Sequence, residues 1–294
     1  MAWADQRRYD AVKLSDINIR DPFILPDGGR YYMYGTRGRE AWGGKCTGLD
    51  VYVSDDLENW TEPREAFTRP ADFWADENFW APEVHKYGGR YYMLASFKKD
   101  GVCRGTQILA ADSPEGPFTP HSDGPVTPRD WECLDGTLYI EDGVPYMVFC
   151  HEWLQVHDGE MCALRLSDDL KCAVGEPVVL FRASEPEWAI KGADNYVTDG
   201  PFMYRTQGGK LLMIWSSSAA QGYCEAISYA EDGKLLGKWR HDPRLLFERD
   251  GGHGMIFRTN DGQLKFTLHQ PNSNPDERPH IIDLVERDDT LYAS

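Results

Sequence analysis

Asp21-Pro22-Phe23-Ile24 is a short apolar stretch that leads through a glycine turn into a second one, Gly29-Arg30-Tyr31-Tyr32-Met33. Four more copies of this unit begin further along the chain, at Ala81-Pro82-Glu83-Val84, Asp135-Gly136-Thr137-Leu138, Asp199-Gly200-Pro201-Phe202 and His253-Gly254-Met255-Ile256. Each copy predicts two antiparallel strands, because apolar runs of this length bounded by glycine are typical of hairpins. A sheet-forming unit that returns roughly every 60 residues is typical of a radial repeat. The repeat therefore predicts an all-β fold, a five-bladed β-propeller with one blade per copy.

Copies of the unit continue into a third strand. In the first copy, the alternating residues Leu49-Asp50-Val51-Tyr52-Val53 run into Ser54-Asp55-Asp56-Leu57, whose polar side chains are suited to capping a turn. The predicted blades span residues 20–66, 79–122, 133–182, 197–247 and 252–289, with connections to the channel mouth at 67–78 and 183–196. The repeats leave no room for a second domain, so we expect residues 1–294 to form a single propeller domain.

The composition excludes several classes of partner. The chain has 294 residues and a formal net charge of −17, which disfavours nucleic acid because phosphate contacts need clustered Lys and Arg. No apolar run reaches membrane-spanning length and no signal peptide is visible, so we expect no membrane contact and a cytoplasmic location. The seven cysteines show no zinc-ligand spacing and indicate free thiols. The acidic balance favours a neutral ligand, and nothing in the sequence indicates an oligomeric state.

Three of the five copies open with an aspartate. The innermost strands of a propeller all run past the central channel, so Asp21, Asp135 and Asp199 are expected to converge on one mouth of it. Carboxylates held this close cannot all ionise freely, so at least one pKa is raised. Glycoside hydrolysis needs such a set, with one ionised carboxylate to activate water and one protonated carboxyl to serve the leaving oxygen. The plainer alternative is that each aspartate caps a turn at the start of its strand.

The motifs around these aspartates resemble those of glycoside hydrolase family 43. The resemblance rests on Arg20-Asp21-Pro22-Phe23, Trp80-Ala81-Pro82-Glu83-Val84, Leu134-Asp135-Gly136-Thr137-Leu138, Thr198-Asp199-Gly200-Pro201-Phe202, Gly252-His253-Gly254 and Leu268-His269. It implies a five-bladed propeller that hydrolyses glycosidic bonds with inversion. It also implies that α-L-arabinofuranosyl or β-D-xylosyl residues are released from neutral oligosaccharides of the plant cell wall.

The resemblance implies a catalytic role for each aspartate. Asp21 matches the general base, and Asp135 matches the residue that adjusts the pKa of the acid and orients it. Asp199 stands where the family has its general acid as the glutamate of a Glu-Gly-Pro motif, so its side chain is one methylene shorter. Glu152 is the alternative acid, because it follows the second strand of the third blade, where the chain returns to the same mouth. Glu152 is also a candidate substrate-binding residue.

Two histidines belong to the fifth blade. His269 ends its second strand near the channel axis, and the resemblance implies that a histidine here ligates a bound cation, directly or through water. The alternative is a hydrogen-bonded core histidine. One imidazole and distant carboxylates form no closed zinc cage, so the expected ion is a structural Ca²⁺ or Na⁺ with no catalytic part. His253 is expected to line the pocket floor.

Tryptophans near the mouth are candidates for stacking on sugar faces. They are Trp42, in the glycine-rich loop of the first blade; Trp80, beside Ala81-Pro82; Trp153, after Glu152; and Trp215, after the second strand of the fourth blade. Each of them has the alternative of being a core residue. Glu83 lies two residues after Ala81, which would place it on the same face of a regular strand and within reach of the pocket.

Two other functions remain open. One is a related propeller glycosidase that acts on galactosides or fructosides, with the same carboxylates and a different subsite. The other is a non-catalytic sugar-binding or interaction propeller, and the aspartate at position 199 is the one hint in its favour. The sequence contains no glycine-rich nucleotide loop, no Gly-x-Ser-x-Gly and no His-Glu-x-x-His, so no other enzyme class competes.

Overall fold

The computed structural model describes residues 11–294, which form five antiparallel sheets arranged as a five-bladed β-propeller, and this confirms the predicted fold. The first blade contains β1 (Ala11–Lys13), β2 (Ile19–Asp27), β3 (Arg30–Arg37), β4 (Gly48–Ser54), β5 (Asn59–Thr61) and β6 (Arg64–Thr68). The second contains β7 (Glu77–Tyr87), β8 (Arg90–Lys99), β9 (Val102–Ala111) and β10 (Thr119–Pro120). The third contains β11 (Cys133–Glu141), β12 (Val144–His151), β13 (Glu160–Arg165) and β14 (Val178–Arg182).

The remaining two blades have four strands each. The fourth contains β15 (Asp199–Arg205), β16 (Leu211–Ala219), β17 (Gly222–Ala230) and β18 (Trp239–Phe247). The fifth contains β19 (Gly252–Arg258), β20 (Leu264–Gln270), β21 (Arg278–Arg287) and β22 (Thr290–Ala293). The helical segments of the described chain are α1 (Trp153–Val156) and the 3-10 turns Leu14–Asp16 and Gly38–Glu40. None of these helices, all within residues 11–294, has the length and apolar character needed to cross a membrane.

The innermost strands close a ring around a central channel. Strands β2, β7, β11, β15 and β19 contact one another in order, and β19 contacts β2. The predicted blade limits agree with the sheets to within a few residues, with two exceptions: β1 joins the first blade by pairing with β5, and the fifth blade extends through β22. The predicted domain starts at residue 1, and its first ten residues lie outside the described part of the chain.

Aromatic side chains fill the spaces between neighbouring blades. Phe67 of the first blade packs against Phe97 and Phe79 of the second, with ring centroids 6.0 and 6.2 Å apart. Trp215 of the fourth blade packs against Phe181 of the third at 5.2 Å. Burial of each such side chain stabilises the fold by on the order of 2 kcal/mol. The blades are therefore held against one another by their faces, which fixes the channel between them.

Each innermost strand carries a β-bulge near its start, and a residue with positive φ sits in it. These bulge residues are Asp21 (54°), Ala81 (45°), Asp135 (58°), Gly200 (50°) and His253 (52°). Ladder pairing with the second strand is interrupted there in all five blades. Bulges re-aim side chains, and strained backbone at residues other than glycine is concentrated at functional sites.

The bulges correct the predicted alignment of the fourth blade. Ladder pairing makes Asp199 equivalent to Arg20, and the residue equivalent to Asp21 is Gly200. The copies as listed from the sequence place Asp199 opposite Asp21, and that alignment is therefore wrong by one residue. The cause is local: in the fourth copy the aspartate precedes Pro-Phe by two residues, and in the first copy by one. Asp199 enters the channel mouth from the position just before the bulge.

A ring of hydrogen bonds, here called the bulge ring, ties the five blades together. Each bulge residue donates its backbone N–H to a side chain of the preceding blade. The bonds are Ala81 N to Thr36 Oγ1 (2.8 Å), Asp135 N to Ser96 Oγ (2.9 Å), Gly200 N to Asp135 Oδ2 (3.0 Å), His253 N to Ser216 Oγ (2.6 Å) and Asp21 N to His269 Nδ1 (3.2 Å). Four acceptors occupy the same position of the second strand. The third blade has Cys150 at that position, and the Asp135 carboxylate accepts instead.

Candidate active site

One mouth of the channel opens into a cavity of about 460 Å³. The predicted site residues that line it are Asp21, Trp42, Trp80, Asp135, Glu152, Trp153, Asp199 and His253. They come from the innermost strands and from the loops after the second strands of the first and third blades. The three predicted catalytic aspartates therefore meet at one place, although one of them arrives out of register.

Asp21 is held as an anion. Thr36 donates to its Oδ2 at 2.6 Å, and His253 Nδ1 lies 3.2 Å from its Oδ1. Burial acts to raise the pKa of Asp21, but the His253 imidazole and the Arg20 guanidinium outweigh it, so this pKa lies below its ordinary value. A carboxylate that stays ionised at neutral pH is suited to accept a proton from water.

Asp135 and Asp199 have the opposite electrostatic character. Burial and the neighbouring charge of Asp21 raise the pKa of Asp135 well above its ordinary value. Burial and the charge of Asp135 raise the pKa of Asp199 to about 7. Asp199 therefore retains a proton up to near-neutral pH while Asp21 is ionised. Carboxyls whose environments push their pKa values apart in this way mark an acid and a base.

His253 lines the cavity and lies between two of the aspartates. Its Nδ1 is 3.2 Å from Asp21 Oδ1 and 3.7 Å from Asp135 Oδ2. Behind it, Ser216 Oγ accepts the His253 N–H at 2.6 Å and donates to Glu225 Oε2 at 2.5 Å. Glu225 is fully buried, and burial raises its pKa to about 8 despite the hydrogen bond from Ser216. The floor is therefore backed by a carboxyl that the sequence did not point to.

Glu225→Gln should change how stability depends on pH. The folded protein keeps Glu225 protonated to about pH 8, whereas the unfolded chain ionises it near its ordinary value of 4.5. Stability from this group is therefore lost as pH rises between these values. The melting temperature of Glu225→Gln should gain several degrees relative to wild type between about pH 5 and about pH 9. Glu248→Gln, which alters an exposed residue just after the last strand of the same blade, serves as the control, and parallel pH curves for Glu225→Gln and wild type would refute the assignment.

His269 lies directly under the site and is fully buried. Its Nδ1 accepts the Asp21 N–H, and its Nε2 is 3.3 Å from Asn272 Oδ1. Burial lowers the pKa of His269 to about 3, so the ring is neutral. Within residues 11–294, no three His, Cys, Asp or Glu side chains are grouped to hold a metal ion. Both ring nitrogens of His269 thus have hydrogen-bond partners, as the core-histidine alternative expects. The described residues offer no closed cation site. A Ca²⁺ or Na⁺ held through water stays a prediction.

Glu152 forms part of a buried wall. Its carboxylate makes an ion pair with Arg104, and both side chains are 5% exposed. Burial raises the pKa of Glu152, while the Arg104 guanidinium opposes that rise. Arg104 also lies over the Trp80 ring, 4.1 Å from its centroid, and the exposed Trp42 meets Trp80 edge-on at 5.4 Å. Glu152 is therefore engaged in holding Arg104 beneath Trp80. Because a carboxylate in an ion pair is a poor proton donor, this arrangement favours Asp199 over Glu152 as the acid.

Two predicted substrate-binding residues do not reach the cavity. Trp215 is fully buried and donates its indole N–H to Ser228 Oγ at 2.8 Å, so its prediction is wrong. Glu83 is buried with its Oε2 2.9 Å from His85 Nε2, and it does not line the cavity. The bulge between Trp80 and Glu83 breaks the alternation on which that prediction depended.

Several residues of the cavity were not found from the sequence: Arg20, Thr36, Tyr223, Asn272 and Asn274. Asn272 Oδ1 accepts from Arg20 Nη2 at 2.8 Å, so a loop of the fifth blade is tied to the first. A usable signal existed for this loop, because it follows the second strand of its blade as Glu152 follows that of the third. No comparable signal existed for Tyr223, which lies within a third strand.

The propeller fold, together with carboxyls whose pKa values are shifted in opposite directions, defines a class of protein, the five-bladed propeller glycoside hydrolases. The chain belongs to glycosyl hydrolase family 43: the model described as "Glycosyl hydrolases family 43" matches residues 15–289. Members of this family invert the anomeric centre, and the predicted family and enzyme class are confirmed.

Solved structures resemble almost the whole chain. An endo-arabinase from Bacteroides thetaiotaomicron is 41% identical with a TM-score of 0.86, and the match covers 96% of this chain and 99% of that one. The Bacillus subtilis protein "Extracellular endo-alpha-(1->5)-L-arabinanase 1" is 27% identical over 46% of this chain and 44% of its own length. The Streptomyces chartreusis protein "Extracellular exo-alpha-(1->5)-L-arabinofuranosidase" is 28% identical over 58% of this chain and 53% of its own. The chain thus spans about half the length of these curated relatives.

Proposed function

We propose that the chain hydrolyses α-L-arabinofuranosyl linkages in arabinan-type oligosaccharides with inversion at the anomeric carbon. The observation that carries this proposal is the pairing of an ionised Asp21 with a protonated Asp199 in one cavity. The choice of sugar is supported by the relatives, since a protein 41% identical over almost the whole chain is called an endo-arabinase. Xylosides are the second candidate, because a relative called "Xylosidase/arabinosidase 43A" is 32% identical over 157 residues.

The proposed reaction assigns one step to each aspartate. Asp21 takes a proton from a water molecule, whose oxygen attacks the anomeric carbon, and Asp199 gives its proton to the departing glycosidic oxygen. The bond between the anomeric carbon and that oxygen breaks as the new bond to water forms on the opposite face. Asp135 raises the pKa of Asp199 through its charge and accepts the Gly200 N–H, which orients the backbone beside the acid.

The cavity wall suits a neutral sugar. Trp80 presents an aromatic face whose other side is covered by Arg104, and Trp42 adds a second, 62% exposed ring at the rim. Aromatic rings bind the apolar faces of sugars, and Asn272, Asn274 and Ser218 supply uncharged hydrogen-bonding groups to the same cavity.

The experiment is hydrolysis of matched panels of aryl α-L-arabinofuranosides, aryl β-D-xylosides, aryl galactosides and aryl fructosides, together with linear arabinan oligosaccharides of increasing length. We expect the arabinofuranosides to be cleaved fastest and the first product seen by NMR to have the inverted anomeric configuration. Cleavage confined to galactosides or fructosides would overturn the sugar assignment. Binding of arabinan fragments with no hydrolysis of any panel would instead support the non-catalytic alternative.

A further inference from the structure

Tyr223 lies on β17, lines the cavity and is 5% exposed. Its ring stacks on the His269 imidazole, with the two centroids 5.7 Å apart. Gly252 leaves the space that the ring occupies, because a Cβ atom there would lie 2.7 Å from Tyr223 Cε1. The phenol is therefore confined to one position on the cavity floor.

The hydroxyl of Tyr223 donates to Oδ2 of Asp199 at 3.0 Å. Within residues 11–294 this is the one side-chain hydrogen bond of the Asp199 carboxyl. Asp21, by contrast, accepts from Thr36 on one carboxylate oxygen and has His253 Nδ1 3.2 Å from the other. Asp199 also stands outside the bulge, so the strained backbone that aims Asp21 does not aim Asp199. The orientation of the acid therefore depends on a single neighbouring phenol.

We propose that Tyr223 is a positioning residue for the general acid: its hydroxyl holds Oδ2 of Asp199 and leaves Oδ1 to carry the proton toward the glycosidic oxygen. This rests on the proposed function, in which Asp199 is the acid. A protonated carboxyl has one O–H and one acceptor oxygen, so a donor fixed on Oδ2 places the acidic proton on Oδ1. Burial and the charge of Asp199 raise the pKa of Tyr223 well above its ordinary value, which keeps the phenol a donor.

The test uses two substitutions with opposite effects. Tyr223→Phe removes the donor that stabilises the Asp199 carboxylate, so the basic limb of the kcat/KM profile should move up by about one pH unit. Activity should fall about tenfold on arabinofuranosides with poor leaving groups and little on those with good ones, because only the former need protonation. Replacement of Tyr223 by 3-fluorotyrosine keeps the shape and makes a stronger donor, so the basic limb should move down.

Tyr91→Phe is the matched control, since the Tyr91 hydroxyl also donates to a carboxylate, Asp27 Oδ2 at 2.7 Å, outside the cavity. It should leave the profile unchanged. An unmoved basic limb in both Tyr223 variants, with equal loss on all leaving groups, would show that Tyr223 only packs. If no glycoside is hydrolysed, the proposed function fails, and ¹³C NMR titration of Asp199 decides this proposal alone: a pKa that does not rise in Tyr223→Phe would overturn it.

Discussion

Asp21→Asn is expected to lower kcat by about 10⁴-fold on every substrate, the upper end of what a general base contributes. Asparagine keeps the size of the side chain and can still accept from Thr36, but it cannot take a proton from water. Leaving-group quality should make no difference, because the missing step is activation of the nucleophile. Steady-state kinetics on the aryl arabinofuranoside panel measures this, and KM should change little.

The control for Asp21→Asn is Asp27→Asn. Asp27 ends the same strand, and its carboxylate binds Lys86 and Tyr91 far from the cavity. It should retain wild-type kcat, while both variants should keep the melting temperature within a few degrees of wild type. If Asp21→Asn keeps more than about a tenth of wild-type activity, the base lies elsewhere.

Asp199→Ala is expected to split the substrates by leaving group. Glycosides with poor leaving groups should lose about 10⁴-fold in kcat, whereas those with good leaving groups should lose far less, because they depart without a proton. The wild-type rate should fall as pH rises through about 7, since Asp199 then loses the proton it must donate. The variant should lack that basic limb.

Equal losses on all leaving groups would remove Asp199 from the role of acid. Glu152→Gln is the comparison, because Glu152 is the alternative acid and lines the same cavity. Its ion pair with Arg104 predicts weaker substrate binding, seen as a raised KM with the basic limb unchanged. A lost basic limb in Glu152→Gln, but not in Asp199→Ala, would exchange the two assignments.

The fold could be predicted from the sequence because the same hairpin is repeated five times along the chain of this propeller. Glycine turns and apolar runs mark each hairpin, and β11 and β14 begin and end where the third predicted blade does, at residues 133 and 182. Local patterns of this kind need no knowledge of distant contacts. The cavity followed for the same reason, because equivalent strand ends of a radial repeat meet at one mouth.

What the sequence hid depends on one-residue offsets. A bulge adds a residue to one strand and reverses which side chains face the channel beyond it. This is why Glu83 was misplaced and why Asp199 looked equivalent to Asp21. On β16, Trp215 and Ser216 are adjacent and point opposite ways, so Trp215 enters the core while Ser216 reaches the floor.

Tyr223 and Glu225 were hidden by a different cause. Both lie on β17, which is the third strand of the fourth blade when counted outward from the channel. They face a site made mainly by other strands. Their roles come from partners such as Asp199 and Ser216 that are brought together only by the folded sheet. A buried carboxyl and a buried phenol in an apolar strand have no distinguishing local pattern.

Because the bulge ring links all five blades, we expect catalytic activity to depend on complete assembly of the propeller. The link from the fifth blade to the first, Asp21 N–H to His269, joins residues 248 positions apart in the chain. The base therefore acquires one of its supports only when the last blade has docked on the first. We expect a partly assembled chain with four finished blades to have folded sheets and an incompletely supported base. Recovery of activity during refolding should accordingly lag behind recovery of strand content. The length of that lag measures how long the fifth blade takes to dock on the first.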